Sequence, residues 1–240
     1  MTRTEILAIL ARAVAEADGR PIVLNTYCCQ GGSAAGYAAA GFYPLGLDKD
    51  PQPRYPYLFV QADALWFLTE FAEWIREHVT LVDSSPPCQA HSKAWKIQQR
   101  EHPRLIAPTR ELLLAIGLPF VIENVEEAAA ELRHPITLCG AMFGMTTYRH
   151  RLLELGGWTV AAPAHPEHRA PLAKMGRPRK PGQFAHYVGN FSGVEDARQD
   201  MAMPWANRDG LREAVPPAYT EWLGRQFLSA RAPQQLELSA

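Results

Sequence analysis

Short apolar stretches recur along the first half of this chain, and most of them run into a polar residue. Pro21-Ile22-Val23-Leu24 reads as a buried strand. Residues 42–47 read as a second, ending at Asp48, and residues 59–62 as a third, closed by Asp63. Thr80-Leu81-Val82-Asp83 runs into Ser84-Ser85-Pro86-Pro87-Cys88, and residues 119–122 end at Glu123-Asn124-Val125. Helical spacing occupies residues 4–18, 65–77 and 109–116, and another helix follows the loop Cys29-Gln30-Gly31-Gly32-Ser33-Ala34 as far as Ala40. Strand, loop and helix in alternation predict an α/β fold with a mostly parallel, doubly wound sheet. In such sheets ligands sit at the carboxyl ends of the strands. Gly31-Gly32, Asp48, Asp63, Cys88 and Glu123 all collect there.

The remaining sequence divides the chain into a catalytic part over residues 1–156, a short basic insertion over 157–206, and a segment over 207–240 that returns to the first part. Residues 161–182 are rich in Pro, His, Arg and Lys and show no periodicity. Arg169, Lys174, Arg177, Arg179 and Lys180 face one acid, Glu167. The net charge of the whole chain is −1, so any nucleic-acid surface must be local. Of the four cysteines, Cys28, Cys29, Cys88 and Cys139, none belongs to a C-x-x-C pair, and no metal site is expected. Charged residues interrupt the apolar positions of the N-terminal helix, so it does not read as a secretion signal. No apolar run approaches the roughly 20 residues of a membrane span. The expectation is a cytoplasmic monomer with reduced thiols.

Each polar stretch has a chemical reading beside a plain one. Gly31-Gly32 lets the backbone approach a ligand, or simply packs a strand-to-helix turn. Asp48 can accept both hydroxyls of a ribose and Asp63 an amino group of adenine, or both can be turn and cap residues. Cys88, on a loop stiffened by two prolines, is placed as a nucleophile or as a buried structural thiol. Glu123 can be a proton donor with a raised pKa, or a solvated strand end. Arg149 and Arg151, two apart on an extended segment, would project to one face and hold an anion, or line an edge strand.

In this order the motifs resemble the cytosine-5 DNA methyltransferase family, in a short phage-like or orphan form. Asn25-Thr26-Tyr27-Cys28-Cys29-Gln30-Gly31-Gly32 is similar to the family's D-L-F-x-G-x-G-G, and Pro86-Pro87-Cys88-Gln89 matches its catalytic motif. Glu123-Asn124-Val125 matches E-N-V, and Phe143-Gly144 with Thr147-Tyr148-Arg149-His150-Arg151 resembles F-G…Q-x-R-x-R. Ala214-Val215-Pro216-Pro217 resembles the end of the last motif. The resemblance implies a Rossmann-like fold that binds S-adenosylmethionine through Tyr27, Cys28, Cys29, Gln30, Gly31, Gly32, Asp48, Lys49, Asp63, Ala64 and Pro86. It implies Cys88, Glu123, Arg149 and Arg151 as the catalytic set, with Pro87, Gln89, Ser92, Asn124 and Val125 near the base. Arg177, Arg179 and Lys180 of the inserted target-recognition region are the expected contacts to double-stranded DNA. Gly176-Arg177-Pro178 is similar to minor-groove hooks. Asn25, Cys29 and Arg212-Glu213 depart from the family pattern.

The implied chemistry begins with thiolate attack at carbon 6 of a flipped-out cytosine, which makes carbon 5 able to accept a methyl group. Glu123 would assist at N3, and loss of the carbon-5 proton would expel Cys88. Three alternatives share these residues: an RNA cytosine-5 methyltransferase, a transferase that uses a modified S-adenosylmethionine, and an inactive DNA-binding relative.

Overall fold

Seven strands form one sheet in the order β3-β2-β1-β4-β5-β7-β6 in the computed structural model, which describes residues 1–87, 104–174 and 176–231. The strands are β1 (Ile22–Thr26), β2 (Tyr43–Asp48), β3 (Leu58–Gln61), β4 (Val79–Ser84), β5 (Phe120–Asn124), β6 (Ile136–Leu138) and β7 (Arg151–Gly156). The first five pair in parallel. Strand β7 runs antiparallel between β5 and β6, pairing Glu123 with Leu153 and Leu138 with Arg151.

Residues alternate across the sheet, and each face finds a different partner layer. Ile22, Leu24, Val82, Phe120 and Ile122 point to one face. That face is covered by α1 (Arg3–Ala17), α3 (Ala64–Glu70), α4 (Ala72–His78) and α5 (Ile106–Ile116) through Leu10, Phe67, Ile75 and Leu113. Val23, Leu81, Val121 and Leu153 point to the other. There they meet α2 (Gly32–Ala40), α6 (Val194–Asp200), α7 (Arg208–Glu213) and α8 (Pro217–Arg231). The doubly wound expectation is met. The 157–206 stretch also contributes to this second core, because Ala185, Tyr187, Phe191, Met201 and Met203 are buried in it.

Three local expectations change. The helix expected over 65–77 is two helices meeting at Phe71, whose φ of −109° and ψ of 21° end one and begin the other. Phe71 is buried against Phe67, ring centroids 4.8 Å apart. Glu123 and Asn124 lie inside β5 rather than after it, because β7 extends the ladder that far. Arg149 and Arg151 do not share an extended face: Arg149 has φ 37° and β7 begins only at Arg151.

Candidate active site

The strand order reverses between β1 and β4, so the loops leaving these two neighbours diverge and open a crevice at their carboxyl ends. Below it lies a buried polar knot. Asp83 on β4 accepts from Asn25 Nδ2 at 3.0 Å, Ser33 Oγ at 2.5 Å and Tyr37 Oη at 3.2 Å. Burial raises the Asp83 pKa, and these three donors pull it back. The knot explains one departure from the family pattern. A carboxylate at position 25 would face Asp83 as a like charge, whereas Asn25 donates to it.

The loop after β1 is tightly wound. Tyr27, Cys29 and Gly31 have φ values of 57°, 46° and 82°. Left-handed backbone at two non-glycine residues costs on the order of 1–3 kcal/mol each and persists where surroundings enforce it, as at ligand sites. The enforcing contacts are on hand. Cys29 N donates to Asp48 Oδ2 at 3.0 Å, Asp50 N donates to Oδ1 at 3.0 Å, and Cys28 N donates to Leu47 O at 3.1 Å. Tyr27 shares a hydrogen bond with Thr109 Oγ1 at 2.9 Å. Gln30 exchanges hydrogen bonds with Asn207 through both ends of its amide. The glycines are required by the chain itself: a Cβ on Gly31 would stand 2.9 Å from the Tyr55 ring, and one on Gly32 2.4 Å from Val215 O.

Two cysteines line this loop as neutral thiols. Burial and the nearby Asp48 hold Cys28 well above its usual range. Burial and Glu213 push Cys29 up to about 12. Cys29 Sγ donates to Glu213 Oε2 at 3.5 Å, so the two departures at 29 and 213 meet in space. Lys49, which follows Asp48 in sequence, is exposed. Asp63 is the N-cap of α3, accepting from Trp66 N at 2.9 Å, and Ala64 is buried behind it. The plain reading of Asp63 is therefore satisfied, with its side chain still exposed.

Across the crevice, the end of β5 holds the loop after β4. Asn124 Nδ2 donates to Pro86 O at 2.9 Å, and Asn124 Oδ1 accepts from Val125 N at 3.0 Å. Pro86 is buried and Pro87 half-buried. Cys88, Gln89 and Ser92 follow outside the described residues. Glu123 is buried and forms an ion pair with Arg151, whose Nε lies 2.8 Å from Oε1. Burial raises its pKa; the Arg151 charge opposes the rise, the Asp83 charge adds to it, and the Ser85 hydroxyl opposes it.

Arg149 does something the sequence did not signal. Its guanidinium donates to the carbonyls of Tyr187, Leu211, Arg212 and Ala214 at 2.7–3.1 Å. Tyr219 Oη donates to Arg149 O at 2.8 Å. Arg149 thus pins α7 and the Ala214-Val215 segment against the sheet instead of pointing beside Arg151. In the basic insertion, Arg177 and Lys180 are exposed, while Arg179 is half-buried and donates to Thr146 Oγ1.

Solved structures share this architecture. The chain aligns with a structure named as that of a DNA modification methyltransferase encoded within an E. coli prophage, at 14% identity and a TM-score of 0.58, covering 87% of this chain and 99% of the other. It aligns equally with the S. pombe Dnmt2 methyltransferase, at 14% identity and TM-score 0.58, over 89% and 99% of the two chains. The fold is the Rossmann-like methyltransferase fold. No protein-family model matches the sequence, and no curated protein matches it.

Proposed function

We propose that this protein is an S-adenosylmethionine-dependent DNA cytosine-5 methyltransferase with Cys88 as its nucleophile. The observation that carries the reading is the hydrogen bond from Asn124 to Pro86. It ties the Pro86-Pro87 segment, which in sequence leads directly to Cys88, to a strand end that carries the buried Glu123, whose pKa burial raises. The Pro86-Pro87 segment and Glu123 thus lie at the carboxyl edge of adjacent strands.

The residues also fit the cofactor. Tyr27, the strained 28–32 loop and Asp48 form a partly exposed turn at the switch point, flanked by the carboxylates of Asp48 and Glu213, which suits a ligand that carries a sulfonium and an ammonium group. When bound, S-adenosylmethionine supplies an electrophilic methyl group. Asp48, Lys49, Asp63 and Ala64 are assigned to its nucleoside end. Cys28 and Cys29, kept as neutral thiols, add no competing nucleophile beside it.

On the base side, the Cys88 thiolate adds to carbon 6 of a cytosine turned out of the duplex. Glu123 donates toward N3, which draws electron density away from carbon 6 and promotes the attack. Arg151 holds Glu123 in place and stabilises it once the proton has moved. After transfer, solvent takes the carbon-5 proton, and the electron pair left behind re-forms the ring double bond and expels the Cys88 thiolate. Pro87, Gln89, Ser92 and Val125 are assigned to the base, and Arg177, Arg179 and Lys180 to the phosphate backbone. Mass spectrometry of nucleosides from cells that express the protein tests the assignment. It predicts 5-methylcytosine in DNA. Its appearance in RNA alone would transfer the reading to RNA, and no new 5-methylcytosine in either would end it.

A further inference from the structure

Four ligand-bearing side chains from three segments converge beside the β6–β7 edge of the sheet. Cys139, His150, His165 and His168 each offer one donor atom, and all four atoms lie within 4.8 Å of one another. The β-ladder brings the first two together. Strands β6 and β7 pair Thr137 with Leu152 and Leu138 with Arg151, so the next step in register sets Cys139 opposite His150. The second two come from the basic insertion, three residues apart.

Two of the ligand–ligand distances come close to those around a bound ion. Tetrahedral zinc takes sulfur at about 2.3 Å and nitrogen at about 2.0–2.1 Å, which places neighbouring ligand atoms about 3.3–3.6 Å apart. Cys139 Sγ and His168 Nε2 are 3.3 Å apart, and His150 Nε2 and His165 Nε2 are 3.1 Å apart. The outer nitrogens are occupied as a metal site requires. His150 Nδ1 is 3.2 Å from Glu126 Oε2, and His165 Nδ1 is 2.9 Å from Pro166 O. Both acceptors favour a proton on Nδ1, which leaves two Nε2 lone pairs facing each other, an arrangement that a shared proton or a metal cation between them relieves. His168 is fixed by stacking on the buried Tyr148, ring centroids 3.6 Å apart.

We propose that Cys139, His150, His165 and His168 form a four-ligand Zn²⁺ site that fastens the start of the insertion to the sheet edge. One thiolate and three imidazoles form a borderline-soft set suited to zinc, and four protein ligands close the coordination sphere, which marks a structural rather than a catalytic ion. Binding displaces the Cys139 proton to solvent. The lack of a C-x-x-C pair does not bear on a site assembled this way, because its ligands meet only after β6, β7 and the insertion have folded together. Its consequence reaches the crevice through the chain: His150 lies between Arg149 and Arg151, which hold the 211–214 carbonyls and Glu123.

The test is metal content and cobalt substitution of the untagged full-length protein. Elemental mass spectrometry should find one zinc per chain in the wild type and none in the His165→Ala/His168→Ala double variant, whose altered side chains are exposed. Metal-free wild type titrated with Co²⁺ should show tetrahedral ligand-field bands and a thiolate charge-transfer band. Cys139→Ser should lose the charge-transfer band. Glu126→Gln should weaken metal affinity by about 10–100-fold. Failure of the metal-free wild type to take up one equivalent of Co²⁺ or Zn²⁺, or full binding by the double variant, would overturn the proposal and leave a hydrogen-bonded histidine cluster.

Discussion

Glu123 has two opposed neighbours, burial and Arg151, and burial wins: its pKa is raised. An acid whose folded pKa is raised keeps its proton to higher pH, and the stability tied to that proton is lost as pH rises through the folded value. The rate should follow. In the wild type, assistance at N3 should fall away as pH climbs past the raised pKa of Glu123, and Glu123→Gln should lack that limb. The variant should also be slower by roughly 10²–10⁴-fold, the usual scale for a general acid, with its binding of S-adenosylmethionine unchanged. Steady-state rates across pH measure both; a near-wild-type rate would make Glu123 structural. Asp48→Ala removes the acceptor of two backbone N–H groups as well as a candidate ribose contact. S-adenosylmethionine affinity should fall about tenfold or more in calorimetry. Both acids were legible as candidates in the sequence because each closes a short apolar run. Asp83 was not, since its partners Asn25, Ser33 and Tyr37 lie 46–58 residues away and meet it only across β1 and α2.

At the scale of elements, α2 and α8 pack so closely that Gly36 has no room for a side chain: an added Cβ would stand 2.1 Å from Pro217 O. In an isolated helix Gly→Ala stabilises by up to about 1 kcal/mol. Here the backbone contact reverses the sign, and Gly36→Ala should destabilise by about 1–3 kcal/mol in denaturant unfolding. Arg110 on α5 and Glu154 on β7 form a buried, two-pronged ion pair with both hydrogen bonds at 2.6 Å. Removing one partner strands the other charge, so Arg110→Met should cost about 3–5 kcal/mol, while replacing both residues with apolar ones should cost far less. The five parallel strands were readable because each is a compact apolar run with a polar end. Strands β6 and β7 were not, because Ile136–Leu138 is only three residues long and its pairing depends on an antiparallel neighbour that no local pattern announces. The break at Phe71 was hidden for a similar reason: burial of one aromatic ring, not a Gly or Pro, interrupts the helix.

At the scale of the molecule, a chain of net charge −1 must gather its cations locally to hold a phosphate backbone. Arg177 and Lys180 are exposed, whereas Arg179 is anchored on Thr146 and Arg169 is paired with Glu167. Neutralising Arg177 and Lys180 should therefore weaken binding to all DNA sequences alike and flatten the salt dependence by up to about 0.9 log unit per lost phosphate contact. Affinity measured against salt concentration decides it; identical slopes would place the DNA surface elsewhere. The sequence marked the insertion as basic but could not show which of its cations are tied down, since Thr146 precedes Arg179 by 33 residues. The central claim, a covalent Cys88 adduct on cytosine, is tested most directly by trapping. Duplex DNA substituted with 5-fluorocytosine has no carbon-5 proton to lose, so the adduct cannot resolve. With S-adenosylmethionine present, the wild type should form a complex with this DNA that survives denaturing electrophoresis, and Cys88→Ala should form none. Absence of that complex from the wild type on a random-sequence pool, or its persistence in Cys88→Ala, would contradict the account.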